Sequence, residues 1–396
     1  MSGPLEGIRV LDFTRYQQGP CATVLLADMG AEVIKVEPRV NGEWGRQTER
    51  DETGFSAYFE TYNRGKKSVT LDIRTPEGRG VVERLVPRVD ALVENFRPGY
   101  MNKVGLGYEA VRPLNPRLVY ASASAFGSRG PMARRPGYDH IAQAVSGLMV
   151  EQSGGPDFDP APALPGAADE ISAMLFAFGI VSALFARERT GEGQHVEASL
   201  LGSMLAFQGR QIARFFRTGT QTYARWRRNA LYTHYRTADG WVAIAAQDAK
   251  RWPALCRTLG RPELTDDPRF AGPWDRHHNA AELRAALDEA FAARTTAEWL
   301  SLLIAEDVPC APVNDYRAIL PGEDLAEQAE ANGYITTVDH PNIGPLRSTG
   351  LPLHLSGTPP ARVGYAPELG RHTEEVLLEL GFGWDEIEGL KAREVI

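Results

Sequence analysis

The chain has 396 residues, 43% of them hydrophobic and 24% charged, a composition that builds packed domains and excludes wholesale disorder. Lys and Arg number 43 against 51 Asp and Glu, for a net charge of −8. That balance disfavours general nucleic-acid wrapping, because phosphate binding needs an excess of cations on one face.

The N-terminus, MSGPLEGIRVLDF, has no basic stretch leading into an apolar one and does not read as a signal peptide. Ile8–Phe13 reads as a strand, and a turn at Gly19-Pro20 leads into an apolar helix, Ala22–Met29, ended by Gly30. Val33–Val36 and Ser68–Ile73 read as further strands. Thr75-Pro76-Glu77 starts a helix that runs through Val86, with Pro at the first helical position. Ala91–Glu94 and Leu118–Ala125 complete a strand–helix–strand rhythm that predicts a parallel sheet with right-handed crossovers, a Rossmann-like α/β domain. The longest apolar run, Ile171–Ala186, falls short of the roughly 20 residues of a membrane span and has charged flanks, so it reads as a buried core helix.

The rhythm breaks at Gln208–Asp239, rich in Arg, Tyr and Trp, which reads as a connection. A strand, Trp241–Ala246, and helices at Lys250–Leu259, Ala280–Ala293 and Thr296–Glu306 predict a smaller α+β domain. From Asp339 the chain is rich in Pro and Gly with short extended pieces, and it ends in a helix, Thr373–Leu380. The expected organisation is a large domain over 1–207, a linker and small domain over 208–325, and a return linker with the rest of the large domain over 326–396.

Familiar signatures are missing. The first strand is followed by TRYQQGP rather than GxGxxG, and there is no GxxxxGK[ST], HExxH or GxSxG. His277-His278 lacks a third ligand in register, so no metal site is expected. Cys21, Cys256 and Cys310 are odd in number and far apart, which points to a reducing cytoplasm rather than a disulfide framework. One stretch stands out: Pro165–Glu170 (PGAADE), immediately before the apolar helix. Asp169 there reads first as a helix N-cap. The same physics allows a second reading. An anion is stabilised at a helix start, small neighbours leave room for a substrate, and an accessible carboxylate can attack an activated acyl group.

The residues around that stretch carry a resemblance. Pro4–Asp12 (PLEGIRVLD), Gln18-Gly19-Pro20, Gly30–Glu37 (GAEVIKVE) and Asn63–Ser68 (NRGKKS) match it first. Val93–Gly99 (VENFRPG), Pro136–Asp139 (PGYD), Thr190–Gln194 (TGEGQ) and Gly370–Thr373 (GRHT) follow in order. Over nearly its whole length the chain resembles the class III CoA-transferases, which include formyl-CoA transferase and carnitine CoA-transferases.

The resemblance implies a catalytic aspartate at Asp169 that passes through an acyl anhydride and an aspartyl-CoA thioester. It implies Gln17 and Gln18 near the CoA and the intermediates, and Arg39, Leu71, Arg74 and Lys103 on the nucleotide. It places Asn95, Phe96 and Arg97 in a loop near the adenosine and phosphates, and Tyr138 near the pantetheine end. Where one branch of the family carries Lys, this chain has Pro136 with Arg135 beside it. The resemblance further implies an obligate interlaced homodimer, acyl-CoA and carboxylic acids as substrates, and no tightly bound cofactor, nucleic acid or membrane partner.

Three alternatives stand beside this reading. An α-methylacyl-CoA racemase needs a base on each face of the α-carbon, but its histidine would fall on Tyr138, whose phenol ordinarily titrates near 10. A Rossmann-fold oxidoreductase would carry the missing glycine fingerprint. A CoA-binding module without catalysis would have no use for Asp169 in its matching context. Where many such transferases have a glycine-rich lid, this chain has Arg225–Tyr232 (RWRRNALY), and its arginines are candidates to recognise a carboxylate of the acid substrate, such as a dicarboxylic acid.

Overall fold

A computed structural model of the chain describes residues 3–221, 229–361 and 364–396. The arginines of the expected lid segment, 225–228, lie outside the described residues. The chain divides into two compact units, Met1–Thr222 with Gln328–Ile396, and Tyr223–Glu327.

The first unit is built on a six-stranded, all-parallel sheet. Its strands are β1 (Arg9–Asp12), β2 (Glu32–Glu37), β3 (Lys67–Thr70), β4 (Ala91–Glu94), β5 (Val119–Ser124) and β6 (His195–Ser199), in the order β3-β2-β1-β4-β5-β6. Val10 pairs with both Val33 and Ala91, so β1 is central. Alternate side chains point to opposite faces, as the period of two requires. Leu11, Ile34 and Leu92 pack on one side with helix α3 (Pro76–Leu85) and the C-terminal helices Thr373–Glu379 and Trp384–Ala392. Val10, Val33 and Val93 pack on the other with helix α1 (Gln18–Asp28) and the long helix Ala167–Thr190. Both faces are covered, which is why these strands are short apolar runs rather than alternating ones.

The long helix extends at both ends beyond the apolar run. Ala173, Phe176 and Ile180 are fully buried against the sheet, the position of a core helix. The expected turn at Gly19-Pro20 is instead the first turn of α1, where proline's missing N–H costs nothing because those donors are free in any helix. Helix α2 (Ala57–Asn63), started by the Ser56 hydroxyl accepting from Phe59 N–H, and strand β6 were not expected. A hairpin, β10 (Ile335–His340) with β11 (Gly344–Thr349), accounts for the extended pieces of the C-terminal region.

The second unit has a three-stranded antiparallel sheet of β7 (Tyr232–Arg236), β8 (Trp241–Ala245) and β9 (Cys310–Pro312). Its helices Arg251–Thr258, Ala280–Phe291 and Thr296–Ala305 close over Tyr235, Leu255, Leu283 and Trp299. Part of the expected connection, Gln208–Asp239, is therefore regular structure: β7 and a helix, Gly209–Thr218.

Candidate active site

Chain order reverses between β1 and β4, and open α/β sheets bind ligands beyond the strand ends at such a switch point. Two loops meet there, one after β1 (Phe13–Gln17) and one after β4 (Asn95–Gly99).

The first loop rests on buried charge. Asp12 and Lys66 are fully buried and 3.1 Å apart. Asp12 also accepts from Thr14 N–H at 2.7 Å and from the hydroxyls of Thr14 and Thr23. Burial alone would raise the Asp12 pKa; Lys66, Lys35 and the two hydroxyls outweigh it and bring the carboxyl to about 2. Burial pulls Lys66 down to about 8 against the attraction of Asp12. Lys35 donates to Thr14 C=O at 2.8 Å, and Glu43 accepts from Tyr16 N–H at 3.1 Å. Tyr16 has φ +63°, a left-handed conformation that costs a residue with a side chain about 1 kcal/mol or more and persists where surrounding bonds over-determine it.

Asp169 enters from the long helix. The expectation that it is the N-cap is corrected: Gly166, at φ +85°, holds that place, and Asp169 lies in the first turn. The cap comes from another helix, Asp139–Val145, where Asp139 Oδ1 accepts from Ala168 N–H at 2.7 Å. No donor among the described residues bonds the Asp169 carboxylate. Burial first, then the neighbouring charges of Asp139 and Glu170, push its pKa up to about 7.

Next to Asp169 in sequence, Glu170 faces a different set of partners. Its Oε1 accepts from Tyr62 at 2.7 Å and from the Gln17 amide at 3.2 Å, and its Oε2 accepts from Cys21 Sγ at 3.0 Å. Gln17 packs so closely on the helix start that a Cβ on Gly166 would stand 2.3 Å from its Nε2. Gly166→Ala is therefore expected to lower stability by about 1–3 kcal/mol, through strain at a left-handed residue, and to depress kcat as the helix start shifts. Unchanged melting temperature and turnover would show that Gln17 simply swings away.

Two adjoining clefts cover this ground. One, of about 760 Å³, is lined by Arg39, Leu71, Arg74 and Phe96 beyond the ends of β2 and β3. The other, of about 340 Å³, holds Asp169 with Gln18, Asn95, Phe96, Arg97, Arg135 and Tyr138. Both share Arg15, Phe96 and Tyr100 as walls. Most of the expected site residues are thus brought together. Two are not: Lys103 is exposed at the end of the short helix Tyr100–Lys103, and Gln17 lines neither cleft, its amide engaged by Tyr62 and Glu170. Gln18 shares the cleft with Asp169 and donates to Ser172 Oγ at 2.7 Å.

Sequence reasoning missed Arg15, Tyr16 and the capping role of Asp139. Asp139 stood inside a motif already singled out. Nothing in TRYQQGP marks a strained tyrosine. In the cation-bearing cleft, Arg39 pairs with Glu394 at 3.3 Å and Arg74 with Asp72 at 2.7 Å.

A parallel sheet with a cleft at its switch point, and a carboxylate on a helix start that has no hydrogen-bond partner among the described residues, is the arrangement of an open α/β enzyme that binds its ligand beyond the strand ends. Comparison with known proteins names the family. A profile of CoA-transferase family III matches residues 5–373. Over 389 residues the chain is 36% identical to the succinyl-CoA:glutarate CoA-transferase of Mus musculus, covering 95% of this chain and 86% of that protein. The acetyl-CoA:oxalate CoA-transferase of Acetobacter aceti is 36% identical, with 93% of each chain covered. A CAIB/BAIF family protein from Brucella suis superposes with a TM-score of 0.83 at 33% identity, covering 96% of this chain and all (100%) of that one. The chain belongs to CoA-transferase family III. It is a transferase acting on acyl-CoA and carboxylate substrates, and the racemase reading is not favoured.

Proposed function

We propose that Asp169 carries CoA from an acyl-CoA donor to a free dicarboxylic acid through covalent intermediates. Its carboxylate attacks the donor thioester carbonyl, the C–S bond breaks and CoA leaves as thiolate, giving a mixed anhydride. The thiolate attacks the aspartyl carbonyl of that anhydride, the donor acid leaves as carboxylate, and an aspartyl-CoA thioester remains. The acceptor carboxylate then displaces CoA from Asp169 to form a second anhydride, and the thiolate attacks the acceptor's acyl carbon, freeing Asp169. An ester from a hydroxyl nucleophile would be too stable to return its acyl group to a thiol; an anhydride is not, so no ATP is needed.

The observation that carries this reading is the carboxylate of Asp169 inside a cleft, without a hydrogen-bond donor among the described residues. A nucleophile held by hydrogen bonds would have to break them first. On this reading Gln18, which lines that cleft and donates one amide hydrogen to Ser172 Oγ, uses the other to meet the oxyanion of each tetrahedral intermediate. Gln17, on this reading, fixes Tyr62 and Glu170 behind it. Arg39, Leu71 and Arg74 form the nucleotide end. Arg97 and Arg135, exposed cations in the Asp169 cleft, suit the second carboxylate of a dicarboxylic acid, the kind of acid named for the glutarate and oxalate relatives. The test mixes acyl-CoA donors with monocarboxylic and dicarboxylic acids and follows new thioesters by mass spectrometry. A CoA adduct on the peptide bearing Asp169 is expected. Exchange without any such adduct, or equal rates for both kinds of acid, would refute the corresponding part.

The same proposal includes an obligate, interlaced homodimer and a cytoplasmic location, the latter in keeping with three free cysteines. Met174, Phe178, Val181 and Phe185 recur at helical spacing on the long helix and remain exposed, Phe178 at 71%. An apolar stripe of this length is a surface that a second copy would cover. Sedimentation equilibrium at micromolar concentration should find a dimer, and an active monomer would contradict it.

A further inference from the structure

We propose that Arg15 holds phosphate oxygens of the CoA thioester where the two clefts join, and that Asn95 is a positioning residue acting through Arg15. This rests on the transferase reading of the same site.

Arg15 lines both clefts. Unlike Arg39 and Arg74, it has no carboxylate partner among the described residues, and its Nε is shut away from solvent with no acceptor. Its guanidinium carbon lies 5.8 Å from the ring centroids of both Tyr16 and Phe96, so two aromatic faces hold the cation in place. An unpaired, partly desolvated guanidinium is costly to keep and calls for an anion. Its planar fork matches phosphate.

The backbone beneath it is fixed with unusual completeness. Arg15 N–H donates to Asn95 Oδ1 at 2.8 Å, and Arg15 C=O accepts from Asn95 Nδ2 at 2.8 Å. Thr14 before it is held by Asp12 and Lys35, and Tyr16 after it by Glu43 in a left-handed conformation. Both polar atoms of the Asn95 amide therefore bond Arg15, which makes a residue expected to bind CoA directly the clamp on this loop.

The anion belongs to the nucleotide rather than to the reacting acid, because Arg15 also lines the larger cleft, together with Arg39 and Arg74.

The test measures binding without acid or turnover, so it is informative even for a chain that fails to exchange CoA. Arg15→Gln should weaken CoA, read by isothermal titration, by roughly tenfold to a hundredfold, the range of a charge-assisted hydrogen bond. Arg15→Lys should recover part of the loss. Pantetheine, which has no phosphate, should bind wild type and variant alike in ligand-observed NMR. Dephospho-CoA separates the sources: an equal loss assigns the diphosphate, and no loss assigns the 3′-phosphate. Asn95→Ala should reproduce the Arg15→Gln pattern, and the double variant should be no weaker than Arg15→Gln. A loop that had merely collapsed would weaken pantetheine too, and that result, or undiminished CoA binding by Arg15→Gln, overturns the proposal.

Discussion

Asp169→Ala should cut kcat/KM for CoA exchange by at least about 10⁴, the scale on which a covalent nucleophile is missed. Asp169→Asn should do the same while keeping the side chain's shape. Both variants should still bind CoA, because the cations of the larger cleft are untouched. Hydroxylamine during turnover should trap the activated wild-type carboxylate as a hydroxamate and find nothing to trap in either variant. Exchange at an undiminished rate would return Asp169 to being part of a helix start.

The same substitution has a signature in stability. Folding raises the Asp169 pKa to about 7, while an unfolded aspartate titrates near 3.9. As pH climbs from about 4 to 7 the unfolded chain loses its proton first, so this group makes the native state progressively less stable, and above pH 7 the cost is constant. Asp169→Asn should therefore melt at the wild-type temperature near pH 4 and above it at pH 8. Catalysis runs the other way. In the proposed mechanism the nucleophile is the carboxylate, so the first half-reaction should rise with pH and level off above about 7. Asp139→Asn keeps an oxygen for Ala168 N–H but removes a negative neighbour, so it should move that rise to lower pH. A profile flat between pH 5 and 8 would contradict the charge state assigned to Asp169. The nucleophile proposed here is thus a residue that the fold would be more stable without, a common trade at active sites.

How much of this was legible depends on where the information lay. Ala91–Glu94 is a strand in both readings because four residues buried on both faces leave an unbroken run. Thr75-Pro76 marks a helix start correctly because cap and first-turn proline are local chemistry: the Thr75 hydroxyl accepts from Gly78 N–H. Strand β6 escaped notice because His195–Ser199 has only Val196 and Ala198 as apolar residues and lies at the sheet edge. Gly19-Pro20 looks like a turn and is helix, since both residues are tolerated in a first turn. At the site, spacing alone allowed Asp169 to be a cap. What shows otherwise is an aspartate 29 residues before Ala168 that accepts from the Ala168 N–H and caps the helix in its place, and such a long-range bond has no sequence period. Asn95 lines the cleft, but its clamp on Arg15 could not be read from the sequence, because both bonds reach across 80 positions to a backbone.

Asp12→Ala should cost about 3–5 kcal/mol, the penalty for leaving a buried charge without its partner. Lys66, with no exposed side-chain surface, would lose its counter-ion, and Thr14 and Thr23 would lose an acceptor. Urea unfolding at pH 7 would measure this. Arg269→Ala is the contrast: that arginine is 57% exposed beside Asp267 and Glu282, and its loss should change stability by less than about 1 kcal/mol. The buried contribution carries a pH signature as well. The folded Asp12 pKa, at about 2, lies below the unfolded value near 3.9. Its stabilisation is therefore complete above pH 4 to 5 and fades as pH falls toward 2, so the gap between wild type and variant should narrow over that window. CoA binding should weaken as well, because Thr14 hangs from Asp12 and Arg15 follows Thr14. A variant that loses stability but binds CoA as tightly as wild type would show that the Asn95 clamp alone shapes the loop, and that the buried charges serve folding only.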